Sequence, residues 1–599
     1  MGLLQAAYRT YEAQRHLVGR IEEGAEPLIP VSHMIVNAQL EITISDEGVF
    51  QSVQRVAQEE QKTIIPVTEK SANRTSGAIP HPLCDQLQSI SPWNEKKLSA
   101  YLEQILQWDN SAYTHPKVHA VRLYVQGRTI LDDLTAAGII KTDEDSGNAE
   151  KLFGKALVRW RVIPAPEGVS SESWKDKSLF KCFVAFYNAQ NCDKPHDLCM
   201  LSAKAEVVCE MHPKGTVAKT FGAKLISSND NDGFTYRGRF SAADQAYNVG
   251  YDASQKAHSA LRYVVANSGY MIGDRVFVCW NPEGAEIPGP TFLQLDLGKS
   301  FVSYKEQLMK TLGGYKNRLK PETDVIVASL EAATTGRLSV TYYNELKGSD
   351  FLDRIENWYT TCCWHSRYGV QSPPLKEIAR DAFGVERGTL IEADERVLRD
   401  HFQQLFHCVI DSAPIPLDIV HALFEKAGTP LAYKEEKNRE KVLNTACAVI
   451  RKFHNDRLKK EEWKMALDET NSNRSYLFGR LLAVAEQAEK STYKDGETRE
   501  TKAIRMQAVF AQRPLYAWRI IGEQLNPYFA RMQPGLRAYY KNIISEITEK
   551  LPDISDPALE RKLEDVYLLG YYQQRTAFFK KKEINNNITE ENEDEHVEE

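Results

Sequence analysis

Five candidate metal ligands crowd one stretch, "CDKPHDLCMLSAKAEVVCEMH": Cys192, His196, Cys199, Cys209 and His212. Thiolate and imidazole are zinc-binding types, but the order C-x3-H-x2-C-x9-C-x2-H has no C-x2-C knuckle of the structural zinc kind. Cys209 sits in "AEVVCEMH", which reads as a strand with a buried thiol, so no metal site is expected. "SNDNDG" at 228–233 opens like a calcium loop and lacks the closing Glu, so it reads as a turn. Cys362, Cys363, Trp364 and His365 put a thiol near an imidazole. Adjacent residues point apart on a helix or strand, and the pair cannot act as nucleophile and base. The chain has no G-x-S-x-G, no P-loop and no G-x-G-x-x-G opening a helix. Neither a catalytic set nor a cofactor site is expected.

Two polar, basic loops stand out instead. "EEQKTIIPVTEKSANRTSGAIPHP" carries Lys70, Asn73, Arg74 and Ser76 in a turn-rich setting, and "EMHPKGTVAKTFGAKLISSN" carries Lys214, Lys219 and Lys224 between glycines. Small residues let the backbone approach phosphate and lysines supply charge, while Asn and Arg are types that read base edges. Taken alone, each loop is better read as ordinary solvated surface.

The chain's 599 residues exceed one ordinary core. The formal charge of −7 is carried by residues 590–599, "EENEDEHVEE", with seven carboxylates; residues 451–550 hold 19 Lys and Arg against 13 Asp and Glu, a net of +6. The acidic end is expected to be a disordered tail and the basic block a possible polyanion surface. No apolar run reaches the ~18 residues of a membrane span. The first twenty residues lack an export pattern, so the ten cysteines are expected as free thiols in a cytoplasm.

Up to about 370 the chain alternates short β-branched or alternating runs, "HMIVNAQLEITIS", "VHAVRLYV", "KALVRWRVI", "FKCFVAFYN", "RVFVCW", "DVIVASLEA" and "RLSVTYY", with turn clusters. This predicts an α+β region with one clear helix in "SAADQAYNVGYDASQKAHSALRYVVANSG". Beyond Pro373 the period turns helical. "NRSYLFGRLLAVAEQAEK" places Leu477, Leu481, Val484 and Ala488 on one stripe, and "YLLGYYQQR" closes the ordered chain. Tyr476-Leu-Phe-Gly479 and Tyr567-Leu-Leu-Gly570 share a pattern. A mid-helix glycine costs roughly 1 kcal/mol against alanine, so the two helices are expected to cross at Gly479 and Gly570.

These segments together resemble the large subunit of a type I-C CRISPR surveillance complex (Cascade). The resemblance lies in "LLQAAYRTYEAQ", "NRTSGAIPHPL", "CMLSAKAEVVCEMHPKG" leading to "GAKLISSN", "DASQKAHSALRYVV", "IGDRVFVCWNP", "APIPLDIVHALFEKA", "SYLFGRLLAVAEQAEK" and "YLLGYYQQR". It implies a non-enzymatic prokaryotic defence protein. Such a subunit recognises the short motif beside a DNA target (the PAM), promotes duplex opening and R-loop formation, binds the displaced strand and recruits a helicase–nuclease. Its partners would be target double-stranded DNA, the backbone subunits carrying the crRNA, a small subunit and that effector. The implied organisation is an α+β region at 1–370 for motif recognition and docking, a helical connector at 371–464, an all-α bundle resembling the Cascade small subunit at 465–589, and the tail at 590–599. Within this frame the Lys70–Ser76 loop is the motif reader, with Lys214, Lys219 and Lys224 as a second duplex contact. Arg480, Arg575 and Lys580 are placed at the displaced strand. Met465, three codons after "KKEE", is a candidate internal start for a separate small subunit. The rival readings are a metal-dependent nuclease and a protein-only structural adaptor.

Overall fold

The computed structural model describes residues 2–74, 77–141, 146–218, 222–226, 239–241, 248–294, 301–334, 336–366, 369–457, 462–553 and 555–579. The chain forms two compact units. One comprises Met1–Pro290 and Thr323–Leu346; the other comprises Thr291–Glu322 and Lys347–Glu599.

The first unit is built on alternation. In "LEITIS" and "VRWRVI" every second residue is apolar, and strands Leu40–Ser45 and Val158–Ile163 pair in parallel with Leu40, Ile42 and Ile44 opposite Val158, Trp160 and Val162. All six are buried. Period-two alternation puts the intervening residues on the other face, where Glu41 receives both Arg159 and Arg161. Phe50–Arg55 completes this sheet on the antiparallel side. A two-stranded antiparallel sheet of His33–Asn37 with Lys62–Pro66 lies in the same unit.

A second sheet runs in the order Arg337–Lys347, Asp324–Thr334, Arg275–Trp280, Tyr270–Ile272. Helix Tyr251–Ser268 packs on it and against helix Leu3–Ala13. Ala6, Ala7, Ala257 and Ala260 lie in that core, and small side chains let the two helices approach closely.

Two runs expected as extended are helices. "VHAVRLYV" lies in Pro116–Gly127, where Pro116 occupies the first turn and the His115 ring accepts from the Lys117 amide. "FKCFVAFYN" lies in Lys177–Gln190, whose Asp176 accepts from the amides of Ser178 and Leu179. Each start signal sits just outside the apolar run and decides between two readings that eight residues leave open.

The second unit is mainly helical: Phe301–Arg318, Gly348–Thr361, Leu375–Phe383, Glu395–Ile410, Leu417–Ala427, Glu436–Arg457, Arg474–Lys490, Lys502–Gln512, Pro514–Arg531, Pro534–Thr548 and 567–579, with two short hairpins. The chain therefore enters this unit before residue 370. Residues 566–574 are all buried, as are Ser475–Glu486. A helix buried on every side is a central one. None of the described helices is long and apolar enough to cross a membrane.

Candidate nucleic-acid interface

Strand Lys62–Pro66 feeds the one-turn helix Glu69–Ala72. Thr68 caps it: its Oγ1 accepts from the Ser71 amide while Ser71 Oγ accepts from the Thr68 amide, both at 3.0 Å. The Glu69 amide donates to Tyr187 Oη at 3.0 Å, and Asn73 Nδ2 donates to the Glu69 carbonyl at 2.9 Å. Lys70 is exposed on this turn.

Arg74 lies beside it with its planar fork turned inward. It donates to both oxygens of Asp85 at 2.8 and 2.5 Å and to the Ile79 carbonyl at 2.7 Å. Asp85 is 0 % exposed and also accepts from the amides of His81 (2.8 Å) and Gln86 (2.6 Å). A bidentate Arg–carboxylate pair of this kind fixes geometry. Arg74 thus clasps the 79–86 return of the chain, where the sequence had placed it at base edges.

The second basic loop comes to the same place through Glu69. Its carboxylate accepts from the amides of Glu210 (2.8 Å) and Met211 (2.6 Å). Lys214 forms a bridge with Lys224, and the Lys224 backbone joins the edge of strand Arg337–Lys347 through Gly336 and Leu338. The result is a groove of about 320 Å3 walled by Ser71, Arg74, His81, Gln39, Lys155 and Lys214 among others. Its charged lining residues, Arg74, Lys155 and Lys214, are all cations. Burial pushes His81 down to about 4, with Arg74 and Lys214 adding against the pull of Asp85. Burial and then Lys214 lower Lys224. Lys155, exposed just ahead of strand Val158–Ile163, lines the groove far in sequence from Arg74 and Lys214, in company that no local pattern marks. Ser76 and Lys219 lie outside the described residues.

In the helical unit, Gly479 and Gly570 meet. A Cβ on Gly479 would overlap the Tyr567 carbonyl, and one on Gly570 the Tyr476 carbonyl. The crossing is dressed by polar pairs: Tyr476 Oη with Gln573, Arg480 Nε with Gln574 Oε1 at 2.9 Å, and Tyr571 Oη with Glu486 Oε2 at 2.5 Å. Arg575 lies 2.9 Å from Glu440 and 3.4 Å from Glu486. Burial alone would raise the Glu486 carboxyl; Arg575, Lys490 and Tyr571 overcome it and hold it at about 2. Arg480 and Arg575 are therefore interior cations, where the sequence had placed them at a displaced strand. Lys580 and the tail lie outside the described residues.

Cations beside aromatic rings occur elsewhere on the unit. Arg499 lies 4.4 Å from the Tyr493 ring and 5.6 Å from that of Tyr528, Arg513 lies 4.6 Å from Tyr516, and Lys541 lies 5.6 Å from Phe529. Tyr516 is 46 % exposed. The net-positive block 451–550 carried this signal, but the sequence did not say which of its side chains would face outward.

The thiols and imidazoles that opened the sequence do not converge. Cys199 Sγ accepts from the Leu201 and Gly250 amides, Cys209 Sγ donates to Glu69, and His196 meets the Lys194 carbonyl. Burial pushes the Cys362 thiol up to about 12 and raises Cys363. Trp364 between them and His365 stacks edge-on against Tyr572. Among the described residues no three His, Cys, Asp or Glu gather as metal ligands. The 228–233 turn falls outside the described residues.

Residues 8–579 match the family model described as CRISPR-associated protein (Cas_Csd1). No curated protein matches the chain.

Proposed function

Because this chain belongs to the Cas_Csd1 family of CRISPR-associated proteins, we propose that it is the non-catalytic large subunit of a type I-C, RNA-guided DNA surveillance complex. In this role it recognises the PAM, promotes duplex opening for the guide RNA and holds the displaced strand. It docks on the crRNA-bearing backbone subunits, receives a small subunit and recruits a helicase–nuclease. Base pairing reads the target in such complexes and protein reads the short motif, so the demand on the chain is recognition of a duplex. The observation that carries the reading is the groove in which two basic loops, more than a hundred residues apart in sequence, meet around Lys214.

Lys155 and Lys214 take phosphate within it, Lys70 and Asn73 approach the duplex from the exposed turn beside it, and Arg74 positions that turn. The displaced strand is assigned to the cation–aromatic pairs Arg499 with Tyr493 and Tyr528 and Arg513 with Tyr516, while Lys541, beside the buried Phe529, contributes charge alone. Stacking of bases on such rings is worth about 1–3 kcal/mol each.

The test is the affinity of the full chain for duplex DNA against salt concentration. Each phosphate contact contributes about 0.9 to the slope of log K on log salt. Lys155→Ala and Lys214→Ala are expected to weaken binding across all sequences and to lower the slope by about one each. Slopes unchanged in both variants would place the duplex elsewhere on the molecule.

A further inference from the structure

The 79–86 return that Arg74 clasps makes its tightest turn at Leu83. The Cys84 amide donates to the Pro82 carbonyl at 2.9 Å, closing a three-residue turn, and Leu83 at its centre has a φ of 69°. Turns of this size with a positive central φ are rare and strained, and glycine is the residue that adopts them without cost. A leucine stands here instead, fully buried in the core that holds Leu40, Ile42 and Trp160. Such a conformation persists only where its surroundings over-determine it.

Two donors do so. Tyr101 Oη, from helix Glu95–Asp109, donates to the Leu83 carbonyl at 2.6 Å. Trp160 Nε1, from strand Val158–Ile163, donates to the same oxygen at 2.7 Å. A carbonyl has two lone pairs, and both are taken. Tyr101 and Trp160 are fully buried, so neither touches DNA. What they reach through the turn is the groove wall. Asp85, next after Cys84, holds Arg74 by both carboxylate oxygens and accepts from the His81 and Gln86 amides. His81 Nδ1 in turn lies 3.1 Å from Ser71 Oγ. Ser71, Arg74, His81 and Gln86 all line the groove. Relaxing Leu83 to negative φ would swing its carbonyl off both donors and carry Asp85 out of register with Arg74.

We propose that Tyr101 and Trp160 are positioning residues for duplex recognition, a role that rests on the groove being a DNA site. By pinning the strained turn at Leu83 they keep the wall of Ser71, Arg74, His81 and Gln86 in its binding-competent arrangement before DNA arrives. Releasing one donor lowers the fraction of molecules so arranged, and apparent affinity falls with that fraction. Lys155 and Lys214 still meet phosphate within the competent fraction. The loss is therefore the same at every salt concentration, whereas loss of a phosphate contact changes the salt slope.

The experiment compares Tyr101→Phe with Tyr124→Phe in the full chain, well below their melting temperatures. Tyr124 packs edge-on against Trp160 at 5.8 Å and donates to Asp133 at 2.8 Å. Its variant thus loses a hydroxyl bond in the same core without touching Leu83. Tyr101→Phe is expected to bind duplex about tenfold more weakly with an unchanged salt slope, and Tyr124→Phe to bind as the unaltered chain does. Asp85→Asn weakens binding by the same route, so Tyr101→Phe combined with it is expected to bind no more weakly than Asp85→Asn alone. Equal losses in the two tyrosine variants, a changed slope, or additive losses in the double variant overturn the positioning role and leave the groove standing. If the unaltered chain binds no duplex, the groove reading fails, and hydrogen exchange decides the turn. Faster exchange at the His81 and Gln86 amides in Tyr101→Phe than in Tyr124→Phe retains the pinning of the wall, and equal exchange discards it.

Discussion

At the scale of single residues, Arg74 and Lys214 wall the groove and Asn73 does not, and Arg74, 19 % exposed, spends its fork on Asp85. Eleven residues separate the two, and nothing in "NRTSGAIPHPLCD" says that the aspartate is buried. That same burial makes His81 an acid-sensitive point. Its folded pKa is about 4 against 6.5 for the free side chain. Above 6.5 both folded and unfolded chains leave it neutral. Between 6.5 and 4 the unfolded chain binds a proton that the folded chain refuses, so stability falls as pH falls, by roughly 1.4 kcal/mol per pH unit for each such group. Below 4 the loss levels off. His33 and His258 add in the same window. The urea midpoint of unfolding is therefore expected to drop steadily from pH 6.5 to 4.5. His81→Gln should remove one histidine's share of that slope; a flat midpoint, or an unaltered slope in the variant, would contradict the assignment.

At the scale of elements, period decided more than propensity. "LEITIS" and "VRWRVI" alternate and are strands, whereas "VHAVRLYV" and "FKCFVAFYN" are short enough to fit either period and fold as helices because His115–Pro116 and Asp176 start them. The paired Tyr-Leu-apolar-Gly patterns could be read because a glycine inside a helix is costly and so asks for a reason. The reason is steric, and it inverts the usual effect of substitution. Gly→Ala in an open helix is stabilising by up to about 1 kcal/mol. Gly522, inside Pro514–Arg531, has nothing within 4 Å of an added Cβ and is expected to follow that rule. Gly570→Ala would drive its Cβ into the Tyr476 carbonyl, and Gly479→Ala into that of Tyr567. Both are expected to destabilise the unit by about 3 kcal/mol or more, as overpacking of a close backbone contact does. Thermal melts of the three variants check it. Equal shifts for Gly522→Ala and Gly570→Ala would mean that the crossing is looser than drawn.

At the scale of the whole molecule, the sequence marks a change of texture near 370 and a candidate start at Met465, but it cannot show which distant segments share a core. The terminal helix 567–579 is covered on one side by Arg474–Lys490 and on others by residues ahead of Met465. Glu440 pairs with Arg575, the Cys447 thiol meets the Leu568 carbonyl, Trp364 stacks on Tyr572, Phe424 on Tyr567, and His454 bonds Asp565 at 2.7 Å. These partners lie 111 to 208 residues away in sequence, beyond any local pattern. A polypeptide beginning at Met465 would keep the glycine crossing and lose every one of them. Uncovering Leu568, Tyr567 and Tyr572 forfeits roughly 2 kcal/mol apiece, and Arg575 keeps Glu486 but loses Glu440. Such a polypeptide is expected to unfold at lower urea than the same helices do within the full chain, and to self-associate, because an uncovered apolar face seeks another surface. Sedimentation of residues 465–599 alongside 436–599 separates the cases. If the shorter piece is monomeric and as stable as the longer, the upstream helix is a neighbour without energetic weight and the bundle is a module in its own right. If it associates while the longer piece does not, a separately made small subunit must exchange the cover of helix Glu436–Arg457 for that of a partner, and its place in a complex follows from the face it has exposed.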